Sequence, residues 1–209
     1  MGIVVAAGSG ARFGGPKQFE RLGGERLVDR AVRTAAGACD GVVLVLPPGV
    51  TWDGPPVDAV VGGGATRSES VRAGLAAVDP DAAVVVVHDA ARPLASPALF
   101  AAVIAATETA DGAVPGVPVG DTIKRVQGST VVETLPRDEL VAVQTPQAFR
   151  ADALRRAHAA GGDATDDAAL VEAGGGTVVV VPGEADNFKV TGPADLVRAE
   201  RTLAAGAPQ

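Results

Sequence analysis

Glycines and two cations follow the first apolar run of the chain in a pattern that could hold a phosphate. The segment reads GSGARFGGPKQF (residues 8–19) and contains Arg12 and Lys17. Glycines let backbone N–H groups approach an anion closely, and the two side chains add full positive charges. The pattern predicts a phosphate-binding loop, and the alternative for this segment taken alone is a glycine-rich turn that binds nothing.

Two familiar phosphate-binding motifs do not fit this loop. A dinucleotide-binding fold needs an acidic residue at the end of its second strand, where this chain has Pro47 and Pro48. A P-loop needs Ser or Thr after its lysine, whereas Gln18 follows Lys17 and Pro16 precedes it. We therefore expect a nucleotide phosphate to be held by a loop of another kind.

Further polar segments follow predicted strands or bound a predicted arm. Ligands of open α/β sheets lie beyond the carboxyl ends of the strands, so these segments could share one crevice. Each also has a structural explanation: His88 at a strand end favours a hydrogen-bonded histidine over a catalyst, and Asp89 beside Arg92 could form only an ion pair. The segments are 62–70, 88–93, 121–122, 137 with 145–147, and 186–191.

Lysine is rare in this chain, which makes its positions informative. Of 18 basic residues only Lys17, Lys124 and Lys189 are lysines. A compact ammonium differs from a planar guanidinium at a crowded phosphate, although chance is the alternative explanation for any one of them. The cations in predicted loops are Arg12, Lys17, Arg92, Arg137 and Lys189, and Asp89 could orient a hydroxyl or a magnesium-bound phosphate.

The length, composition and charge of the chain limit the classes of protein to which it can belong. A chain of 209 residues with 47% hydrophobic content predicts a single domain over residues 1–209. The net charge of −7 argues against a nucleic-acid partner. No signal-peptide pattern and no apolar stretch of membrane-spanning length is present, so we expect a cytoplasmic protein without a membrane partner. The single Cys39 is expected to be an apolar filler.

Apolar runs alternate with helical patterns along most of the chain. This alternation predicts an α/β fold with a doubly wound, mostly parallel sheet. Thr66 with Glu69 predicts a capping box, Ser96 before Pro97 predicts a helix start, and Thr165 or Asp166 can cap a later helix. The predicted strands are 2–6, 42–46, 57–61, 83–87, 113–119 and 177–181, and the predicted helices include 26–37 and 67–78.

Residues 121–145 break the alternation with three short β-like pieces. This segment has too few large apolar residues for a core of its own. We expect an antiparallel β-arm that lies on the domain or pairs with another chain, which is a plausible use in dimerisation. The residues after Leu203 are expected to fray.

Several motifs in one order closely resemble the 2-C-methyl-D-erythritol 4-phosphate cytidylyltransferase family. They are AAGSGxRFG with PKQF, GGxxRxxSV, HDAARP, DTIKR, TPQAF and ADNFKVT, and they span nearly the whole chain. The resemblance implies a Rossmann-like nucleotidyltransferase fold and transfer of CMP from CTP to a sugar-alcohol phosphate, with release of pyrophosphate and a need for Mg²⁺. It also implies a homodimer whose arms complete each other's sites, so that Thr122 and Arg137 act in the second subunit's site.

Residue roles follow from the same resemblance by motif matching. It implies that Arg12 and Lys17 stabilise the triphosphate, and that Arg137 and Lys189 hold the attacking phosphate. It implies no dedicated metal site, with Mg²⁺ held mainly by CTP and Asp89 as a candidate ligand. The implied substrate-binding residues are Ala6, Ala7, Gly8, Gly64, Arg67, Ser70, Asp89, Arg92, Thr122, Thr145 and Thr165.

The chain departs from the family pattern in one place and leaves two rival functions open. Members commonly have a longer segment than Phe13–Pro16 between Arg12 and Lys17, which puts the placement of Lys17 in question. We expect an enzyme that is not fused to the cyclase of a later step in non-mevalonate isoprenoid synthesis. The rivals are a ribitol 5-phosphate cytidylyltransferase and a non-catalytic nucleotide-binding protein on the same scaffold. Lys124 has no assigned role.

Overall fold

Strands and helices alternate through residues 1–205, which are the residues that this computed structural model describes. The strands within that range are β1 (Gly2–Val5), β2 (Arg21–Leu22), β3 (Glu25–Arg26), β4 (Val42–Leu46), β5 (Ala59–Gly62), β6 (Val84–Asp89), β7 (Gly112–Pro118), β8 (Lys124–Gln127), β9 (Thr130–Thr134), β10 (Val141–Val143), β11 (Gln147–Arg150) and β12 (Val178–Pro182). The α-helices are α1 (Leu27–Ala38), α2 (Arg67–Ala76), α3 (Pro97–Ala106), α4 (Ala151–Ala159), α5 (Asp167–Ala173) and α6 (Pro193–Ala205).

The central sheet is mixed and mostly parallel. Its strands follow the order β10-β7-β11-β6-β1-β4-β5, and β12 joins at β7. The pairs β1–β4, β1–β6, β4–β5 and β7–β12 are parallel. Strand β11 runs antiparallel to both β6 and β7, and β10 runs antiparallel to β7. The predicted α/β fold class is thereby confirmed.

Helices cover both faces of this sheet because successive strand residues point to opposite sides. Val4 faces a core shared with Phe100 of α3 and with α1. Ile3 faces the other core, where Leu154 of α4 packs together with α2 and α5. Strands covered on both sides read as continuous apolar runs, which explains the valine-rich sequence of β4 and β6.

Three helices begin at the residues that the sequence predicts. Thr66 accepts a hydrogen bond from the Glu69 N–H while the Glu69 carboxylate accepts one from the Thr66 N–H, which completes the capping box of α2. Ser96 caps α3 with Pro97 at its first position, and Asp166 caps α5. The prediction that the chain frays after Leu203 is wrong for residues 204 and 205, because both are helical. The rest of that prediction lies outside the described residues.

The segment 121–145 contains the three predicted strands, but they do not form one unit. Strands β8 and β9 pair only with each other within the described residues, and every residue in both is exposed. Strand β10, by contrast, joins the edge of the central sheet beside β7. The projecting arm therefore consists of the β8–β9 hairpin, whose turn contains Gly128 in a left-handed conformation.

Elements that the sequence analysis did not predict include the β2–β3 hairpin, strand β11 and helix α4. Strand β11 inserts between β6 and β7 and separates two strands that would otherwise be neighbours. Within residues 1–205, no helix has both the length and the apolar character needed to cross a membrane.

Candidate active site

A cleft of about 530 Å³ opens beyond the carboxyl ends of β1, β5 and β6. The glycine-rich loop after β1, the loop before α2, the end of β6 and the segment before α6 form its walls. Of the residues predicted to act, the cleft is lined by Ala6, Ala7, Gly8, Arg12, Lys17, Gly64, Arg67, Ser70, Asp89 and Lys189.

Gly10 organises the glycine-rich loop. The carbonyl oxygen of Gly10 accepts hydrogen bonds from the N–H groups of Phe13, Gly14 and Gly15. Gly10 has a φ of 66°, and a Cβ there would lie 1.7 Å from the Gly15 carbonyl oxygen. Only glycine fits this turn, which brings exposed Arg12 to the mouth of the cleft.

Lys17 faces the cleft although the loop before it is short. It begins a 3₁₀ turn that ends at Phe19, and its Nζ donates to the carbonyl oxygen of Val190 at 2.6 Å. Burial, followed by the nearby charges of Lys189 and Arg12, lowers the pKa of Lys17. Crowded cations of this kind favour an anion between them.

The loop from residue 62 to residue 66 forms a tight wall opposite the glycine-rich loop. A Cβ at Gly63 would lie 2.3 Å from the Ala7 Cβ, so the two backbones approach as closely as glycine allows. The Gly64 N–H donates to Ser70 Oγ at 3.2 Å, and Ser70 Oγ donates to the Thr66 carbonyl at 3.0 Å. The backbone of this loop therefore faces the cleft and is held in place by the first turn of α2.

Asp89 is a buried carboxylate held between two cations. Lys189 Nζ lies 2.5 Å from its Oδ2, and Arg67 Nε lies 3.2 Å from its Oδ1. Burial alone would raise the pKa of Asp89, but the charges of Arg67 and Lys189 outweigh it and hold the pKa below its ordinary value. Asp89 is therefore ionised and orients both cations.

Arg67 bridges two buried carboxylates. Besides Asp89, its Nη1 donates to Asp167 Oδ2 at 2.8 Å, and the second Asp167 oxygen lies 3.1 Å from His158 Nε2. Burial opposes the charge of Arg67, but Asp89 and Asp167 raise its pKa above the ordinary value. Asp167 as a partner of Arg67 could not be recognised in the sequence, because Thr165 and Asp166 before α5 and Asp167 at its first position are explained by helix capping alone.

His88 is a structural histidine, as the sequence favoured. It is almost fully buried, its Nε2 lies 3.2 Å from the Arg92 carbonyl oxygen, and its Nδ1 lies 3.2 Å from Thr145 Oγ1. Burial lowers the pKa of His88 to about 4. A neutral ring that donates from Nε2 and accepts at Nδ1 fits these partners. Thr145 Oγ1 also accepts from the Asp89 N–H at 3.0 Å, so the pair fixes the end of β6.

Five predicted site residues do not line the cleft. Thr145 is buried beneath it, and Arg92 donates to the carbonyl oxygens of Asn187 and Val143. Thr165 is exposed on the loop that Thr66 and Ser68 hold through hydrogen bonds to residues 163 and 164. Thr122 and Arg137 are exposed in the segment between β7 and β10.

The cleft also contains residues that the sequence analysis did not select. Gln18 is buried beside Lys17 with its Nε2 unpartnered among the described residues. Thr191 follows Lys189 by two positions on the same segment and lines the same wall. Both positions belong to the motifs that drew attention to the neighbouring lysines, but an uncharged side chain beside a lysine carries no signal of its own.

Comparison with known proteins agrees with this geometry. The family model described as "IspD: 2-C-methyl-D-erythritol 4-phosphate cytidylyltransferase" matches residues 1–205. A crystal structure of 2-C-methyl-D-erythritol 4-phosphate cytidylyltransferase from Thermus thermophilus has a TM-score of 0.83 and 39% identity, covering 97% of this chain and 98% of that one.

Curated relatives include separate and fused enzymes. The 2-C-methyl-D-erythritol 4-phosphate cytidylyltransferase of Rhodococcus opacus (strain B4) is 47% identical over 218 residues, which are 99% of this chain and 96% of the relative. The bifunctional enzyme IspD/IspF of Anaeromyxobacter dehalogenans (strain 2CP-C) is 47% identical over 223 residues, covering 98% of this chain and 57% of the relative. The chain thus spans little more than half the length of such bifunctional relatives.

Proposed function

The chain belongs to the 2-C-methyl-D-erythritol 4-phosphate cytidylyltransferase family, and we propose that it transfers CMP from CTP to 2-C-methyl-D-erythritol 4-phosphate. The products would be 4-diphosphocytidyl-2-C-methyl-D-erythritol and pyrophosphate, as in the non-mevalonate isoprenoid pathway. The observation that carries the proposal is the cleft itself, where Arg12 and Lys17 of the glycine-rich loop and Lys189 of the segment before α6 line one cavity together with Gly64.

The reaction needs charge neutralisation more than acid–base chemistry. A phosphate oxygen of the acceptor attacks the α-phosphorus of CTP, the bond from that phosphorus to the oxygen bridging to the β-phosphate breaks, and pyrophosphate leaves with the electron pair. The acceptor phosphate is already ionised near neutral pH, so no general base is required. Positioning and electrostatic stabilisation then supply the rate enhancement.

We assign the cations of the cleft to two sides of the reacting phosphorus. Arg12 and Lys17 would stabilise charge on the triphosphate, since both belong to the loop that begins at the end of β1. Lys189 would hold the attacking phosphate, because it stands on the segment before α6, outside the glycine-rich loop, and its ammonium is already oriented by Asp89. Cations that neutralise the phosphates in this way are preorganised for the transition state.

Cytidine would lie against the loop from residue 62 to residue 66. The proposed pocket is rimmed by backbone of the β1 end and of the loop before α2, with Ser70 and Arg67 at its base. Backbone that approaches closely suits a flat pyrimidine. The residues in this proposed role are Ala6, Ala7, Gly8, Gly64, Arg67 and Ser70, whereas Asp89, Arg92, Thr145 and Thr165 are proposed for the acceptor and ribose region.

We propose Mg²⁺ as the metal that the reaction requires. When bound, Mg²⁺ would neutralise charge on the triphosphate. Residues 1–205 contain no cluster of three or more His, Cys, Asp and Glu side chains suited to a metal ion, and both oxygens of Asp89 face cations. These residues fit an ion that arrives with CTP better than a resident metal.

The arm supports a proposal of homodimerisation. Val126, Val131 and Val132 of the β8–β9 hairpin expose 57%, 54% and 53% of their surface, which leaves three apolar side chains of the hairpin without a core in one chain. A second subunit that packs on the arm would bury these side chains. Arg137 and Thr122 would then reach the second subunit's cleft. We further propose a cytoplasmic location.

An initial-rate assay of pyrophosphate release tests the proposed function. The protein is incubated with CTP and Mg²⁺, together with methylerythritol phosphate, ribitol 5-phosphate or no acceptor. We expect release that depends on methylerythritol phosphate. Faster release with ribitol 5-phosphate would support the rival acceptor, and CTP binding without any release would support a non-catalytic protein.

A further inference from the structure

Two buried amides hold the segment that carries Lys189. We propose that Gln144 and Asn187 are positioning residues that act through Lys189 and set its place opposite the triphosphate. Gln144 belongs to the short connection between β10 and β11, and Asn187 lies between β12 and α6. The inference rests on the proposed function for the role of Lys189, but its structural part can be measured without turnover.

Gln144 binds the Lys189 segment as a strand neighbour would. Its Nε2 donates to the Glu184 carbonyl oxygen at 2.7 Å, and its Oε1 accepts from the Glu184 N–H at 3.1 Å. Only 5% of Gln144 is exposed, so both hydrogen bonds are shielded from water. A Cβ at the preceding Gly183 would lie 2.9 Å from Gln144 Oε1, which shows how closely the two segments approach.

Asn187 extends this contact toward the active site. Its side chain is fully buried, and Nδ2 donates to the Thr145 carbonyl oxygen at 2.9 Å and to Gln144 Oε1 at 3.3 Å. The backbone carbonyl of Asn187 accepts from Arg92 Nη1 at 2.7 Å. The side chain of Asn187 is thus fixed to the connection between β10 and β11, and its backbone to the loop after β6.

The same short connection holds both partners of the Lys189–Asp89 ion pair. Gln144 fixes the segment that ends in Lys189, while Thr145 accepts from the Asp89 N–H at 3.0 Å. A lysine side chain has many rotamers, and its ammonium reaches a defined point only if its backbone is held. Lys189 is itself partly exposed, so the buried amides supply the rigidity that the lysine lacks.

A merely structural role would lower stability without moving the ammonium of Lys189. The chain offers a direct probe, because its three lysines give three separate side-chain signals in lysine-labelled protein. Lys189 is in an ion pair, whereas Lys124 lies in the exposed arm. The ¹³Cε resonance of Lys189 therefore reports its surroundings, and that of Lys124 serves as the internal reference.

The test uses Gln144→Met, which keeps the length of the side chain but removes both hydrogen bonds with Glu184 and the one from Asn187 Nδ2. Thr107→Val is the matched control, because Thr107 is buried and donates to the Ile104 carbonyl at the end of α3, outside the cleft. If Gln144→Met does not fold, Gln144→Glu replaces it, since a carboxylate cannot donate to the Glu184 carbonyl.

We expect the Lys189 signal of the folded Gln144 variant to move toward the Lys124 value, with kcat reduced by about tenfold and the KM for CTP within about twofold of the parent. The Thr107→Val control should change neither the Lys189 signal nor kcat. An unmoved Lys189 signal in a folded Gln144 variant would overturn the proposal, as would a moved signal with unchanged kcat. A parent without turnover would refute the proposed function instead, and the lysine signals would still decide the structural claim.

Discussion

Lys189 Nζ lies 2.5 Å from Asp89 Oδ2, so the ammonium is fixed to the end of β6 across 100 positions of sequence. Asp89 is buried and also contacts Arg67, which makes the carboxylate an anchor for two cations. An ammonium held before the substrate arrives does not have to be ordered during the reaction. Loss of either partner of this ion pair is therefore expected to slow the reaction.

Replacing Lys189 by alanine should reduce turnover by about 10² to 10³, the range typical for loss of one preorganised charge at a reacting centre. Steady-state pyrophosphate release measures the effect, and circular dichroism checks the fold. Arg156→Ala is the control, because Arg156 is an exposed cation on α4 that pairs with Asp152 and lies outside the cleft lining. Near-normal turnover of the Lys189 variant would remove this residue from the reaction.

Mixing two inactive variants should restore activity if the arm works across subunits. In a heterodimer of Arg137→Ala and Lys189→Ala chains, one cleft would receive both intact residues and the other would receive neither. Random exchange would then recover about one quarter of the parental activity. No recovery in a mixture whose heterodimers are demonstrated would place Arg137 in the cleft of its own chain.

The pKa of His88 should make stability depend on pH in a defined window. Burial lowers this pKa to about 4 from an ordinary 6.5, so the unfolded chain binds more protons between these values. The contribution to stability is complete above about pH 6.5 and is lost as the pH falls toward 4, at up to about 1.4 kcal/mol per pH unit. Urea unfolding of the parent and of His88→Gln measures the difference in slope.

Nuclear magnetic resonance checks the same group directly. The chain has only two histidines, and the His88→Gln variant identifies the ring signals of His88. We expect a neutral ring protonated at Nε2 down to a pH near 4. Titration of His88 near 6.5 in the folded protein would show that the buried hydrogen bonds to Arg92 and Thr145 do not form as described.

Lys17 should limit activity on the alkaline side. Its pKa is lowered by burial, by Lys189 and by Arg12, so its charge is lost at a lower pH than for an ordinary lysine. The KM for CTP is then expected to rise with pH before an exposed lysine would titrate. Lys17→Arg should move this rise to higher pH, and an identical profile in both proteins would assign the effect to another group.

Much of the fold could be predicted because local signals and global packing agree. The valine runs of β4 and β6, the capping box at Thr66 and Glu69, and Ser96 before Pro97 all act over short distances in sequence. Strand β11 could not be recognised in this way, since only its insertion between β6 and β7 makes residues 147–150 a strand.

The site, like the fold, contains some residues that could be predicted from the sequence and others that could not. Lys17 and Lys189 stand in glycine-rich or polar motifs whose chemistry is visible in the sequence. Asp167 pairs with Arg67 across 100 positions, and Gln144 binds Glu184 across 40, so neither contact has a local signature. Arg92 is the opposite case. It is a cation in a motif that suggests chemistry, but it donates to backbone carbonyls and lies outside the cleft lining.

The proposed reaction joins a phosphate of the acceptor to the α-phosphorus of CTP in this cleft. Phosphorus-31 spectra of the protein with CTP, Mg²⁺ and methylerythritol 4-phosphate test it most directly, because they identify both products. We predict equal amounts of free pyrophosphate and of a new diphosphate diester, both formed about 10² to 10³ times more slowly in Lys189→Ala. Persistence of the CTP and phosphate monoester signals, or the appearance of pyrophosphate with CMP alone, would contradict the proposed reaction.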